Sequence, residues 1–412
     1  MRRAILVAFG LFTSFASLSA QVPGDLWGDE LGAVTLPESL LSRGGTLPAW
    51  PAAPLHHPPS TVRAVYVNAW AFGSSRFSSL VRLADSTEIN SFVVDVKDDT
   101  GYLTYRSEVP TAIEIGANAR LRARDAADRL RTLHLHGIHA IARIVVAKDP
   151  LLAARKPAWS VKDAAGGLWR DRLNFAWVDA FNDSVWVYAS QLAAEAVKIG
   201  FDEVQFDYVR FPDEPRARMA HAIFSARQPG ETTRDGVCRN LRLLRDRVKP
   251  LGVPFTIDVF GMTTNVEGDM GIGQIWEDLV TTADVVLPMV YPSHYYHAMY
   301  GVPHPNSEPY RVVKGALADA MRRNARLGRP TAEVRPYLQA FTLGRPRYTP
   351  QYIREQIQAA ADLGIHGWVL WNARSTYDPG IFERAPQRAT QMAFAGPDAG
   401  PGLPRSDSHL LR

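Results

Sequence analysis

Eight short runs of strand character, each separated from the next by a helical pattern, constrain this chain more than any other feature. The strand runs fall at 64–70, 91–97, 139–146, 201–208, 255–260, 284–291, 334–341 and 367–371, and helical periodicity fills 77–90, 119–136, 181–199, 232–249, 272–282, 310–327 and 350–363. Several helical patterns close on a glycine just before the next strand, at Gly137, Gly200, Gly252 and Gly364. Such alternation buries every strand between helices and predicts a parallel α/β architecture, here a (β/α)8 barrel forming a single catalytic domain over 61–382. A doubly wound open sheet is the alternative. It usually brings a glycine-rich phosphate loop after its first strand, and Asn68-Ala69-Trp70-Ala71-Phe72-Gly73 is not one.

The flanks read differently. Residues 1–20 carry Arg2 and Arg3, an apolar run and then small residues ending in Ala20, the layout of a secretory signal, which predicts export to the periplasm or beyond. An uncleaved anchor is the competing reading, against which the apolar run falls short of the roughly 20 residues that a spanning helix needs. Residues 21–60 are rich in Pro and Gly and read as a linker or strap; 383–412 read as a flexible tail. Cys238 is the single cysteine of 412 residues, so no intramolecular disulfide is available, and its place in a helical pattern suits a packed, inert thiol. A formal charge of +4, without a basic block interleaved with aromatics, gives nucleic-acid binding little support.

Within the fourth strand run, FDEVQFDYVRFP at 201–212, apolar Val204, Phe206 and Tyr208 alternate with Gln205 and Asp207. Asp207 therefore falls at the carboxyl end of its strand, where parallel α/β proteins bind ligands. The same alternation predicts an inward set of Tyr66 and Asn68, Asp95 and Lys97, Arg143, Gln205 and Asp207, Asp258, Met289 and Tyr291, Tyr337 and Gln339, and Trp371. Their neighbours Val94, Val96, Ile257, Val259, Leu338 and Leu370 suit the helix-facing side. Asp207 pairing with Arg210 or Arg143 as a structural acceptor is the plain alternative, but so many polar groups on one rim would be costly to desolvate as core filling.

Carboxylates at a barrel mouth suit glycoside hydrolysis, in which a protonated carboxyl donates to the leaving oxygen while a carboxylate attacks the sugar or activates water. The expectation is Asp207 as nucleophile or base and Asp258 as general acid, with Asn68, Asp95, Lys97, Arg143, Gln205, Tyr291, Gln339 and Trp371 around the polysaccharide or oligosaccharide. Asp95 with Lys97 is the rival pair. No cofactor or metal is expected: His294 and His297 lack a carboxylate at supporting spacing. Trp159, Trp169 and Trp177, in the long gap at 147–180, either stack on sugars at the rim or roof the barrel.

FDEVQFDYVRFP, together with FVVDVKDDTG (92–101), IARIVVAKDP (141–150), FTIDVFG (255–261), VVLPMVYPSHY (285–295) and GWVLWNA (367–373), resembles a bacterial glycoside hydrolase family long filed as a domain of unknown function. The resemblance spans 62–377 and implies a TIM barrel with glycosidase activity, without a substrate. A more distant similarity is to chitinase-type barrels of family 18: Met289-Val290-Tyr291, Trp371 and Asp207 match their sixth-strand Met-x-Tyr, inward Trp and penultimate acid. Gln205 replaces an acid of that pattern, and Val209 stands where its catalytic Glu would be. That departure argues against the chitinase mechanism. It leaves open a different pairing of Asp207 with Asp258, a lyase or transglycosylase, or an inactive glycan-binding barrel serving as an envelope scaffold.

Overall fold

The computed structural model describes residues 58–385. The expected signal segment, most of the Pro-rich stretch and the tail beyond 385 lie outside the described residues. Eight parallel staves close into a barrel. In order they are β1 (Arg63–Val67), β2 (Ser91–Lys97), β3 (His139–Val145), β4 (Glu203–Asp207), β5 (Phe255–Phe260), β6 (Val285–Met289), a seventh stave in two pieces, β7 (Glu333–Val334) and β8 (Tyr337–Gln339), and β9 (Trp368–Trp371). Closure comes from β9 pairing back onto β1 through Arg63↔Trp368, Ala64↔Val369 and Val65↔Leu370. An open sheet has no such ladder, so the alternative architecture is excluded. The seventh stave is split at Pro336, which has no N–H to donate to a ladder.

Helices cover the outside for the reasons their sequences suggest. In Asp183–Ile199 the buried residues Val185, Trp186, Ala189, Leu192, Ala193 and Ala196 recur at helical spacing and face the staves. Asn182 caps its first turn by accepting from Ser184 N, and Gly200, at φ 118°, closes it by donating to Ala196 O and Val197 O. The pattern expected over 272–282 forms only the five-residue helix Trp276–Val280, because Ile272 and the glycines before it belong to the loop.

The barrel interior is layered. At the amino-terminal floor Glu203 meets Arg335 at 2.8 Å, with His139 at 3.4 Å. Above it lies an apolar layer that includes Val93, Ile141, Leu287 and Val369, and above that the polar groups of the mouth. Desolvation would raise the Glu203 carboxyl, but Arg335 and His139 hold it below its ordinary range. The chain enters β1 from this floor, and at the other end Arg384 bridges Thr87, just ahead of β2, on the same face.

Candidate active site at the barrel mouth

Arg143, rising from β3, is the hub of the mouth. Its Nη1 donates to Asp95 Oδ1 at 2.6 Å from β2, its Nε and Nη2 donate to Asp207 Oδ2 at 3.1 and 2.5 Å from β4, and Nε lies 3.8 Å from Asp258 Oδ2 of β5. The guanidinium also lies 5.0 Å from the Trp371 ring centroid and 5.5 Å from that of Tyr66. Three strand-end carboxylates thus converge on one buried cation. This is a packed network: Asp207 is 6% exposed and Asp258 1%.

The carboxyls are not equivalent. Burial, reinforced by the neighbouring Asp207, pushes Asp258 well above the usual carboxylate range, despite opposing contributions from Arg143 and Gln205. Asp258 Oδ2 accepts from Gln205 Nε2 at 2.9 Å, and that amide also donates to Tyr337 Oη at 2.7 Å. Asp258 Oδ1 has no hydrogen-bond partner among the described residues. Asp207 accepts two N–H bonds from Arg143 and one, on Oδ1, from Tyr208 N at 2.6 Å. Both Oδ2 atoms lie within 3.8 Å of Arg143 Nε, which keeps the pair inside the roughly 9.5 Å upper limit for glycosidase carboxyls. Tyr208 has φ 54°, a left-handed backbone at a bulky residue directly after Asp207. Strain of this kind gathers at functional sites.

Asp95 accepts from Tyr66 Oη as well as from Arg143, yet burial dominates and raises it to about 6. A buried acid with a raised pKa stabilises the fold fully below its unfolded value near 4, and that stability is lost as pH rises through about 6. Unfolding measured from pH 4 to 7 is expected to show a downward slope to which Asp95 contributes roughly 2 to 3 kcal/mol. Asp95→Asn should flatten that part of the slope; an unchanged slope would assign it to other groups.

Several expected site residues belong elsewhere. Lys97 does not face the barrel: the β2–β3 register slips between Asp95 and Lys97, so Lys97 lies opposite Ile144 and points outward. There it is 1% exposed, bonded to Asp149 Oδ2 at 2.5 Å and set over the Tyr188 ring. The Asp95–Lys97 rival pair therefore does not form. Asn68 ends β1 as the cap of the helix Ala69–Gly73, accepting from Ala71 N and donating to Ala373 O, so its side chain is spent on structure. Gln339 is likewise committed, accepting from Ser293 N and donating to Asn306 Oδ1 and Phe341 O. Of the remainder, Tyr291 lies at the mouth against Phe341 and His294, and Trp371 stacks on Tyr66 with centroids 3.9 Å apart.

Trp169 and Trp177 are buried, and Trp177 Nε1 donates to Asp171 Oδ2, so these two indoles roof the barrel. Among the described residues the exposed indole is Trp70, at 64%, with the Arg122 guanidinium 3.4 Å from its centroid. The strand reading over 64–70 concealed it. Asp98 was also missed: this half-buried carboxyl, raised chiefly by burial, follows β2 near Asp95 and Tyr66. The adjacent acids in KDDTG were its signal. Among the described residues no cluster of His, Cys, Asp or Glu is arranged to hold a metal, and no helix is long and apolar enough to cross a membrane. Burial raises the Cys238 thiol to about 11, in keeping with an inert residue.

A family model described as "Putative glycosyl hydrolase domain" matches residues 64–377. Among solved structures, a hypothetical protein from Ruminiclostridium thermocellum ATCC 27405 is 38% identical, over 44% of this chain and 92% of that one, with a TM-score of 0.40. The PgaB (BpsB) glycoside hydrolase domain from Bordetella bronchiseptica is 14% identical over 78% of this chain and 99% of that one, with a TM-score of 0.54. A chitobiase from Flavobacterium johnsoniae is 12% identical over 81% of this chain and 50% of that one, with a TM-score of 0.51. The last two share the fold with this chain. No curated protein matches it.

Proposed function

The chain belongs to the family described as "Putative glycosyl hydrolase domain", and from that premise we propose that it cleaves glycosidic bonds of a polysaccharide or cell-envelope glycan with Asp207 and Asp258. The observation that carries this reading is the pair on Arg143: Asp207, bound by the guanidinium, beside Asp258, whose burial favours its protonated form. Hydrolysis needs one acid and one base at the same bond. Asp207, the more exposed of the two, supplies the carboxylate that attacks the anomeric carbon or activates water, and Asp258 supplies the proton for the leaving oxygen. Arg143 limits the repulsion between them. Tyr291, Phe341 and Trp371 supply apolar faces for a sugar ring. The basic, apolar and small-residue pattern of 1–20 supports action outside the cytoplasm.

The protein expressed without residues 1–20 is expected to release new reducing ends from at least one member of a panel holding peptidoglycan, capsular and exported polymers. Binding without release across the panel would favour the second reading, an inactive glycan-binding barrel. Two observations favour that alternative: Val209, fully buried, occupies the position of the chitinase-type acid, and both acids of the pair are almost covered.

A further inference from the structure

On the mouth face, the loops that follow β3 and β4 enclose a groove of about 680 Å³, away from the carboxyl cluster. Its walls carry Arg170, Arg172, Arg218 and His221, with Trp169 and Pro215 among its apolar lining. Glu214 tempers part of this charge from below: its Oε2 lies 2.8 Å from Arg172 Nε and 3.3 Å from Arg218 Nε, with the carboxylate side chain almost fully buried. Asp163, the acid of the lining, turns back on its own loop and accepts from Ala165 N and Gly167 N. Arg170 donates to Asn174 O and has no carboxylate partner among the described residues. With three arginines against the two carboxylates Asp163 and Glu214, the groove keeps a net positive charge, and Arg170 is its cation without a carboxylate partner among the described residues.

Between groove and mouth lies a second unneutralised cation. Arg210, three residues after Asp207, is 8% exposed, donates to Phe211 O, and has no carboxylate partner among the described residues. Instead its guanidinium lies among three rings, 4.4 Å from Phe260, 4.8 Å from Tyr208 and 5.3 Å from Trp177. Trp177 connects the two regions, since its Nε1 donates to Asp171, the residue between Arg170 and Arg172. A buried cation without a counter-charge is costly unless a ligand supplies one, and aromatic faces offset only part of that cost.

We infer that this groove is an outlying subsite for a glycan bearing acidic groups, carboxylate or sulfate, whose chain passes Arg210 on its way to Asp207. The inference rests on the glycosidase reading and deepens it by naming the substrate class. Calorimetry on the full chain with oligogalacturonate, its methyl-esterified counterpart and chondroitin sulfate oligosaccharides tests it, the two acidic probes distinguishing carboxylate from sulfate. At least one acidic probe should bind, more weakly as salt rises. Binding should fall about tenfold or more in the Arg170→Gln/Arg218→Gln variant, two exposed positions whose loss leaves the core untouched, while the ester is unaffected. Arg210→Gln should show the same selective loss, with its thermal midpoint reported alongside as a check on folding. Equal binding of acid and ester, or acid binding that the exposed double variant leaves intact, would overturn the subsite. Acid-selective binding without release of reducing ends from any polymer would keep the subsite and remove the hydrolase reading instead.

Discussion

Asp207→Asn is expected to lower turnover by at least about 10³-fold while the barrel still folds. The substitution keeps volume and the acceptor that Tyr208 N uses, and Arg143 retains its bond to Asp95 at 2.6 Å. What it removes is the carboxylate that the proposed mechanism sets against the sugar. Its Nδ2 would point at Arg143 donors, a local mismatch costing about 1 to 3 kcal/mol, which far-UV circular dichroism and a urea titration would separate from lost chemistry. Wild-type turnover in a folded Asp207→Asn protein would take this residue out of the mechanism and leave the mouth without its proposed base.

The largest effect on stability is expected at Arg143. Replacing it with Met preserves much of the side chain's length but strips Asp95, Asp207 and Asp258 of their shared cation. Breaking a buried ion pair from one side costs about 3 to 5 kcal/mol, because the stranded charges stay out of water. In the variant the acids can escape that cost only by binding protons. Asp95 and Asp258, already raised by burial, therefore rise further, and stability falls as pH climbs through them. Unfolding at pH 4 and pH 8 should show a deficit that is small in acid and close to the full figure in base. A deficit equal at both values would mean that lost packing, not stranded charge, is responsible.

Much of the barrel could be read from the chain because each stave carries its own record. Ser91–Lys97 and Phe255–Phe260 were delimited to the residue, since helix and turn signals bracket them on both sides. The inward set at Asp95, Arg143, Gln205, Asp207 and Asp258 followed from alternation alone, and these residues do meet. Alternation fails where the backbone departs from a regular strand. At Lys97 a register slip turns the side chain to the outer face, and nothing local in FVVDVK announces it. At Asn68 two local rules compete: Ala64 to Trp70 carries strand character, but Asn is also a strong helix cap, and the cap prevails. Gln339 lies at the carboxyl end of β8, as expected, but long-range partners from two other loops claim its amide. The raised pKa of Asp258 depends on burial and on the nearby Asp207, which no spacing encodes.

The opening end of the domain is set by where its flanks attach. Residue 58 leads into β1, and Arg384 lies beside Thr87 ahead of β2, so the neighbouring segments on both sides join at the Glu203–Arg335 base. A body anchored through either flank would present Arg143 and its acids outward, like a cup held by its foot. Polymer chains could then reach the bowl without passing the point of attachment.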